Sequence, residues 1–134
     1  MASGTALAEQ ARAAARQRPA DAGLLCSLVD GDVDALLGEH VTEALRAGDP
    51  LAATIADTYA RWVALGVANL VNLVDPEVVV LGGSVLTEPA PWMERIVASY
   101  REVALRPGLR DRTSIVPAAL GRRAGAVGAA LIAG

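Results

Sequence analysis

The residues in this chain whose types and spacing could do chemistry are mostly glycines. Val78-Val79-Val80-Leu81-Gly82-Gly83-Ser84 reads as a short apolar strand running into a glycine loop. Glycines at that point let the backbone turn sharply and come close to a ligand. Loop amides can donate to phosphate or ribose oxygens, and in an open α/β sheet ligands sit at the carboxyl edge of the strands. The same residues also make a plain strand-to-loop turn, and residue type alone leaves both readings open. A second set, Ala124-Gly125-Ala126-Val127-Gly128-Ala129-Ala130, offers a small-residue helix face that another helix or a ligand could approach closely. An ordinary Ala-rich helix reads the same way.

The acid, base and nucleophile candidates are isolated. Asp75 precedes a proline at a helix end, on the wrong side of the strand for a carboxyl-edge site. Asp49 reads as a helix cap. His40 is the one histidine and reads as a surface or helix-end residue. Cys26 is the one cysteine, which excludes an internal disulfide and a Cys/His zinc motif and fits a small buried hydrophobe in a reducing, cytoplasmic setting. No catalytic residue and no metal ligand set is expected. All 12 basic residues are Arg, scattered among acids at a net charge of −3, so no basic stripe exists for non-specific nucleic-acid binding. Met1 to Thr5 lacks the basic segment and apolar core of a signal peptide. The apolar stretch Trp62 to Val74 is broken by Gly66, Asn69 and Asn72 and is too short to span a bilayer.

The elements that must position the loop follow from periodicity and punctuation. Ser3 caps a helix over about Thr5 to Gln17, which Pro19 stops. Gly23 to Val29 forms one or two helical turns, Asp30-Gly31-Asp32 a turn, and Val33 to Leu37 a short helix ended by Gly38. His40 to Gly48 reads as a helix closed by its glycine. Asp49-Pro50 pairs a capping residue with a proline at the first helical position, opening a long helix to Val74. Leu51, Ile55, Tyr59, Trp62, Val63, Gly66, Leu70 and Leu73 recur along it at helical spacing, which predicts a core role for Tyr59 and Trp62 and burial of both faces after Trp62. Gly66 is expected to be compensated by close packing on another backbone. Val78 to Leu81 is a strand with both faces covered. Pro91 opens a helix with Trp92, Ile96, Val97, Tyr100, Val103 and Ala104 on its apolar face, and Pro107-Gly108 breaks it. Ser114 to Val116 is a second strand, and Arg123 to Ile132 a closing helix.

Four motifs in this order resemble the carboxyl-terminal part of the ROK family, the bacterial sugar kinases and sugar-responsive repressors related to hexokinase and actin. They are Ala2-Ser3-Gly4 with the helix after it; Ala47-Gly48-Asp49-Pro50-Leu51-Ala52; Asn69 through Val74 into Asp75-Pro76-Glu77-Val78-Val79-Val80-Leu81-Gly82-Gly83; and Ile115-Val116-Pro117-Ala118-Ala119-Leu120-Gly121 through Ala124 to Ala130. Their order and spacing are similar to the family's over essentially the whole chain.

The resemblance implies an α/β fold that is mostly helical with about two short strands: the carboxyl-terminal fragment of a ribonuclease-H-like (actin-like ATPase) domain, residues 1–134 forming a single partial domain. It implies that Gly82, Gly83 and Ser84 are the adenosine motif. Gly125 and Gly128 then lie on the hinge helix between two lobes, packed near the glycine loop. A full ROK protein is roughly twice this length or more. Its other part carries the acidic-Gly-Gly-Thr phosphate loop, the catalytic Asp, the zinc motif and a sugar-binding Glu, none of which occurs here. The implied function is the nucleotide-side portion of an ATP-dependent kinase of a glucose-type hexose, inactive by itself. ATP with Mg would serve the intact parent, with no cofactor assigned to this chain alone. The alternative is the effector-binding portion of a ROK sugar-responsive transcriptional repressor, and a third reading is a small oligomerisation module without a ligand. The expected partners are further copies of the chain, with nucleotide and sugar bound only together with the missing lobe. No direct nucleic-acid or membrane binding is expected.

Overall fold

Asp49-Pro50 and Asp75-Pro76 bracket the element on which the rest is built, in a computed structural model that describes residues 3–87, 90–104 and 112–133. Between them runs α4 (Pro50–Val74), 25 residues long. The Asp49 carboxylate accepts the Ala52 N–H at 2.6 Å, a cap that contributes about 1 kcal/mol. Asp75 closes the helix in the left-handed region at φ 44°.

Three helices precede it. They are α1 (Gly4–Gln17), α2 (Gly23–Ser27) and α3 (Gly38–Arg46), with a 3-10 turn over Val33–Ala35. The Ser3 hydroxyl accepts the Ala6 N–H at 3.2 Å to start α1. Leu7, Ala11 and Ala15, four residues apart, face inward. Arg12 donates to the Leu36 carbonyl at 2.9 Å and Arg16 pairs with Asp34, which ties the 3-10 turn to α1. Gly48, at φ +79°, ends α3 in the conformation its type permits.

The structure corrects the reading of Gly38, which opens α3 instead of ending the preceding helix. Leu37 is extended (φ −118°, ψ 167°), and the His40 Nδ1 accepts its N–H at 3.0 Å, half of a capping box. That is the helix-end role expected of His40. A Cβ on Gly38 would stand 3.3 Å from Leu7 Cδ2 and 3.5 Å from the Gly4 carbonyl oxygen, so glycine serves close approach there.

After α4 come β1 (Val78–Leu81), a 3-10 turn (Ser84–Thr87), α5 (Ala90–Val103), β2 (Ser114–Pro117), a 3-10 turn (Gly121–Arg123) and α6 (Ala124–Ala133). The strands pair in parallel, Val78 opposite Ser114 through Leu81 opposite Pro117. The ladder extends past both ends, through Thr113 Oγ1 donating to the Pro76 carbonyl at 2.8 Å and the Ala118 N–H donating to the Leu81 carbonyl at 2.8 Å. The Pro107-Gly108 break lies outside the described residues.

The core forms along α4 in two parts. Its first half packs Leu51, Ile55 and Tyr59 against Leu7, Val41, Trp92 and Ile96, with Cys26 half-buried at the margin. Its second half packs Ala64, Val67, Ala68 and Val71 against Val79, Tyr100 and Ala104. Contrary to the periodicity reading, only one face of that second half is covered. Trp62 is 48% exposed and Leu73 82%, so Trp62 is not core. No described atom lies within 4 Å of a Cβ built on Gly66, so the expected close backbone is not there. The sheet departs in the same way: Val79 is buried while Val78 and Val80 are exposed, so one face of β1 is covered rather than both. Apolar spacing marks sides able to be buried. Whether a partner element is present to bury them is a tertiary matter.

Among the described residues no helix is long and apolar enough to cross a membrane, and no group of three acidic, His or Cys side chains could hold a metal.

Candidate functional site

The loop begins where β1 ends. Gly82 lies beside β2's continuation, its Cβ position 3.4 Å from the Ala118 Cβ. Gly83 has φ +135°, a conformation that side chains rarely adopt. Its carbonyl accepts the Leu86 N–H at 3.1 Å, which starts the turn Ser84–Thr87. That turn packs alongside the turn Gly121–Arg123 that leads into α6. Gly82, Gly83 and Ser84 are all exposed.

On its other side the loop meets the first turn of α1. A Cβ on Gly4 would stand 3.0 Å from Ser84 Oγ and 3.7 Å from Val85 Cγ2. Together α1, α3 and the loop enclose an open groove of about 790 Å³, lined among others by Gly4, Thr5, Gly38, Thr42, Ser84 and Val85. The first turns of two helices thus face the loop across one groove. Helix starts carry N–H groups without intrahelical acceptors and a positive partial charge. Arg12, Glu39, Glu43 and Arg46 give the groove a rim of mixed charge, and Ala8 and Leu37 supply apolar surface. Hydrogen-bonding groups and small apolar contacts suit a small polar ligand.

Two other depressions are present, and Gly82 lines the second. One, between α4 and α5, is lined by charges that pair with one another, Arg95 with Asp57 at 2.6 Å. The other, about 370 Å³, is apolar and lies between α4 and β1.

Of the residues singled out from sequence, the structure brings Gly82, Gly83 and Ser84 into one loop. Gly125 and Gly128 lie on α6, which directly continues the turn Gly121–Arg123. Built Cβ atoms on either glycine meet nothing within 4 Å among the described residues, which leaves that face open. Sequence reasoning missed the groove wall made by Thr5, Gly38 and Thr42. Its trace in the sequence is a glycine at the first position of both α1 and α3, but nothing local shows that those two helix starts meet.

The parallel strand pair, with the glycine loop at its carboxyl edge and a long helix behind it, matches part of a solved ROK kinase of the actin-like ATPase fold. A family model described as "ROK family" matches residues 1–134. A glucokinase of Streptomyces coelicolor is 36% identical over 132 residues, covering 98% of this chain and 42% of that protein. The crystal structure of a ROK family glucokinase from Streptomyces griseus in complex with glucose and AMPPNP is 38% identical, with a TM-score of 0.91, over 98% of this chain and 42% of that one. A putative sugar kinase from Cytophaga hutchinsonii, 21% identical, shares the fold with a TM-score of 0.72 over 92% of this chain and 40% of its own. The chain belongs to the ROK family. It spans about two fifths of the length of these relatives.

Proposed function

We propose that this chain is the nucleotide-side portion of an ATP-dependent kinase of a glucose-type hexose, one part of a larger domain. The carrying observation is the loop Gly82-Gly83-Ser84 at the carboxyl end of β1, whose Ser84, with Val85, lines a groove that the first turns of α1 and α3 also line. The names of the relatives support the reading: a glucokinase, and a glucokinase crystallised with glucose and a nucleotide analogue. In phosphoryl transfer the protein's work is positioning and charge stabilisation. Here the loop would seat the adenosine side of ATP, with α6 as the connection toward the rest of the parent. Mg²⁺ accompanies ATP in the intact protein, and the described residues contain no acidic cluster to assign to it. The sugar and the carboxylate that takes its proton belong to the part of the parent outside this chain.

Two measurements test this. Titration with ATP and Mg²⁺, followed by calorimetry and by backbone amide NMR spectra, is expected to give binding at the millimolar level or weaker, no stronger than roughly −4 kcal/mol, with amide shifts confined to Gly82 through Val85 and the starts of α1 and α3. Shifts that map instead to the α4–α5 groove would sink the nucleotide reading. A coupled assay with ATP and glucose is expected to show no turnover by this polypeptide, and turnover would refute the assignment of the base elsewhere. In the intact protein, sugar binding without phosphoryl transfer would assign the module to the repressors.

We further propose that copies of this chain associate. The uncovered side of α4 and β1 and the end of α6 expose Leu73, Val80 (60%) and Ile132 (90%), an apolar surface of the kind that marks interfaces, beside strand edges able to pair. Size-exclusion chromatography with light scattering should show dimers or larger species at micromolar concentration. A clean monomer would count against it.

A further inference from the structure

We infer that Gly4 is a positioning residue for the glycine loop: having no side chain, the first residue of α1 forms the seat on which Ser84 rests. A Cβ at Gly4 would stand 3.0 Å from Ser84 Oγ and 3.7 Å from Val85 Cγ2, the first distance being shorter than the ordinary contact of a carbon with an oxygen. Ser84 Oγ and Val85 Cγ2 therefore lie against α1's first residue, and a methyl there requires the Ser84 side chain to give by a few tenths of an ångström. The seat is fixed from behind. The Gly4 carbonyl oxygen is 3.5 Å from where a Cβ on Gly38 would be, and Leu7 Cδ2 is 3.3 Å from the same point. Leu7 and Val41, one residue from each of those first turns inward, are fully buried beside Leu51 of α4. The loop is thus held against α1 at Gly4 as well as through Val85 and Leu86, which pack on the same core. Gly83, at φ +135°, allows the chain to reach that seat. The loop's role in holding nucleotide rests on the reading above, whereas the seating contact does not.

The test compares Gly4→Ala, Ser84→Ala and the double variant with Gly23→Ala. Gly23 also opens a helix, but its built Cβ meets nothing within 4 Å. Circular dichroism should show all four folded, since alanine is the better helix former. Backbone amide spectra are expected to show Gly4→Ala moving the amides of Gly83 to Leu86, and Gly23→Ala leaving them in place. Adding Gly4→Ala to Ser84→Ala should move them no further, because the oxygen that the new methyl displaces is gone. ATP with Mg²⁺ should bind Gly4→Ala about threefold to tenfold more weakly than the parent, the equivalent of one net hydrogen bond, and the double variant as tightly as Ser84→Ala. Loop amides unmoved by Gly4→Ala, or equally displaced in the double variant, would overturn the positioning role. If the amide pattern holds but no variant binds ATP, the seat stands and the nucleotide reading falls.

Discussion

Gly83→Val should abolish measurable ATP binding while leaving the chain folded. At φ +135°, a β-branched residue has no low-energy backbone state. Holding it there costs on the order of 1–3 kcal/mol, and the loop can avoid most of that by changing shape. No described atom lies within 4 Å of the Gly83 Cβ position, so the penalty is conformational and the core is untouched. The expected split is therefore a loss in urea midpoint equivalent to about 1 kcal/mol or less against at least a tenfold rise in the ATP Kd, since the loop amides no longer point where they did. Gly82→Ala is the control. Its φ is outside the positive region, and its new methyl would meet Ala118 at an ordinary 3.4 Å. Equal loss of ATP binding by both variants would show that bulk, and not backbone conformation, is what the loop cannot accept.

The second large effect is expected far from the loop. Trp92→Ala should cost about 3–5 kcal/mol, a large share of the roughly 5–15 kcal/mol that holds a domain together. Trp92 is fully buried and meets Tyr59 edge to face, ring centres 5.4 Å apart at 74°, a geometry contributing about 0.5–1.5 kcal/mol beyond area. The indole nitrogen has no hydrogen-bond partner among the described residues, so the loss is one of packing. Trp92→Phe should accordingly keep most of the stability, and a urea unfolding series that finds the two substitutions equal would contradict that account. Tyr59 adds a pH dependence. Burial pushes its phenol above the ordinary 10.0, so the neutral form is the one the fold favours. That contribution is complete below about pH 10 and is lost as the pH rises past it, where the unfolded chain ionises first.

Much of the fold was legible because the chain punctuates it. Asp49-Pro50 and Asp75-Pro76 set the limits of α4, Ser3 set the start of α1, and the run Val78 to Leu81 with two glycines after it located β1 and the loop. The misreadings share one physical origin. Local rules speak to Gly38, Gly66 and Trp62, but what each does depends on a neighbour distant in sequence. Gly38 fits against Leu7 and Gly4, Gly66 fits against nothing described, and Trp62 lies on a side of α4 that the described residues leave open. The groove was invisible for the same reason. Its walls come from Gly4, Gly38 and Ser84, whose adjacency is set only once α1 and α3 have packed on α4.

The parallel register of β1 with β2 also dictates an order of assembly. The bond from Thr113 to the Pro76 carbonyl joins residues 37 apart, and closing a loop of that length costs on the order of 3 kcal/mol of chain entropy before two four-residue strands return anything. Helices α3 and α4 follow one another directly in the chain, whereas the two strands are separated by the whole of α5. The strand pairing is therefore expected to open before the helical core does. In native-state hydrogen exchange, the amides of Ser114 and Ala118 should exchange through a local opening well below the free energy that protects Ile55 and Tyr59; protection equal to the core's would mean that strand pairing and helical core form as one unit.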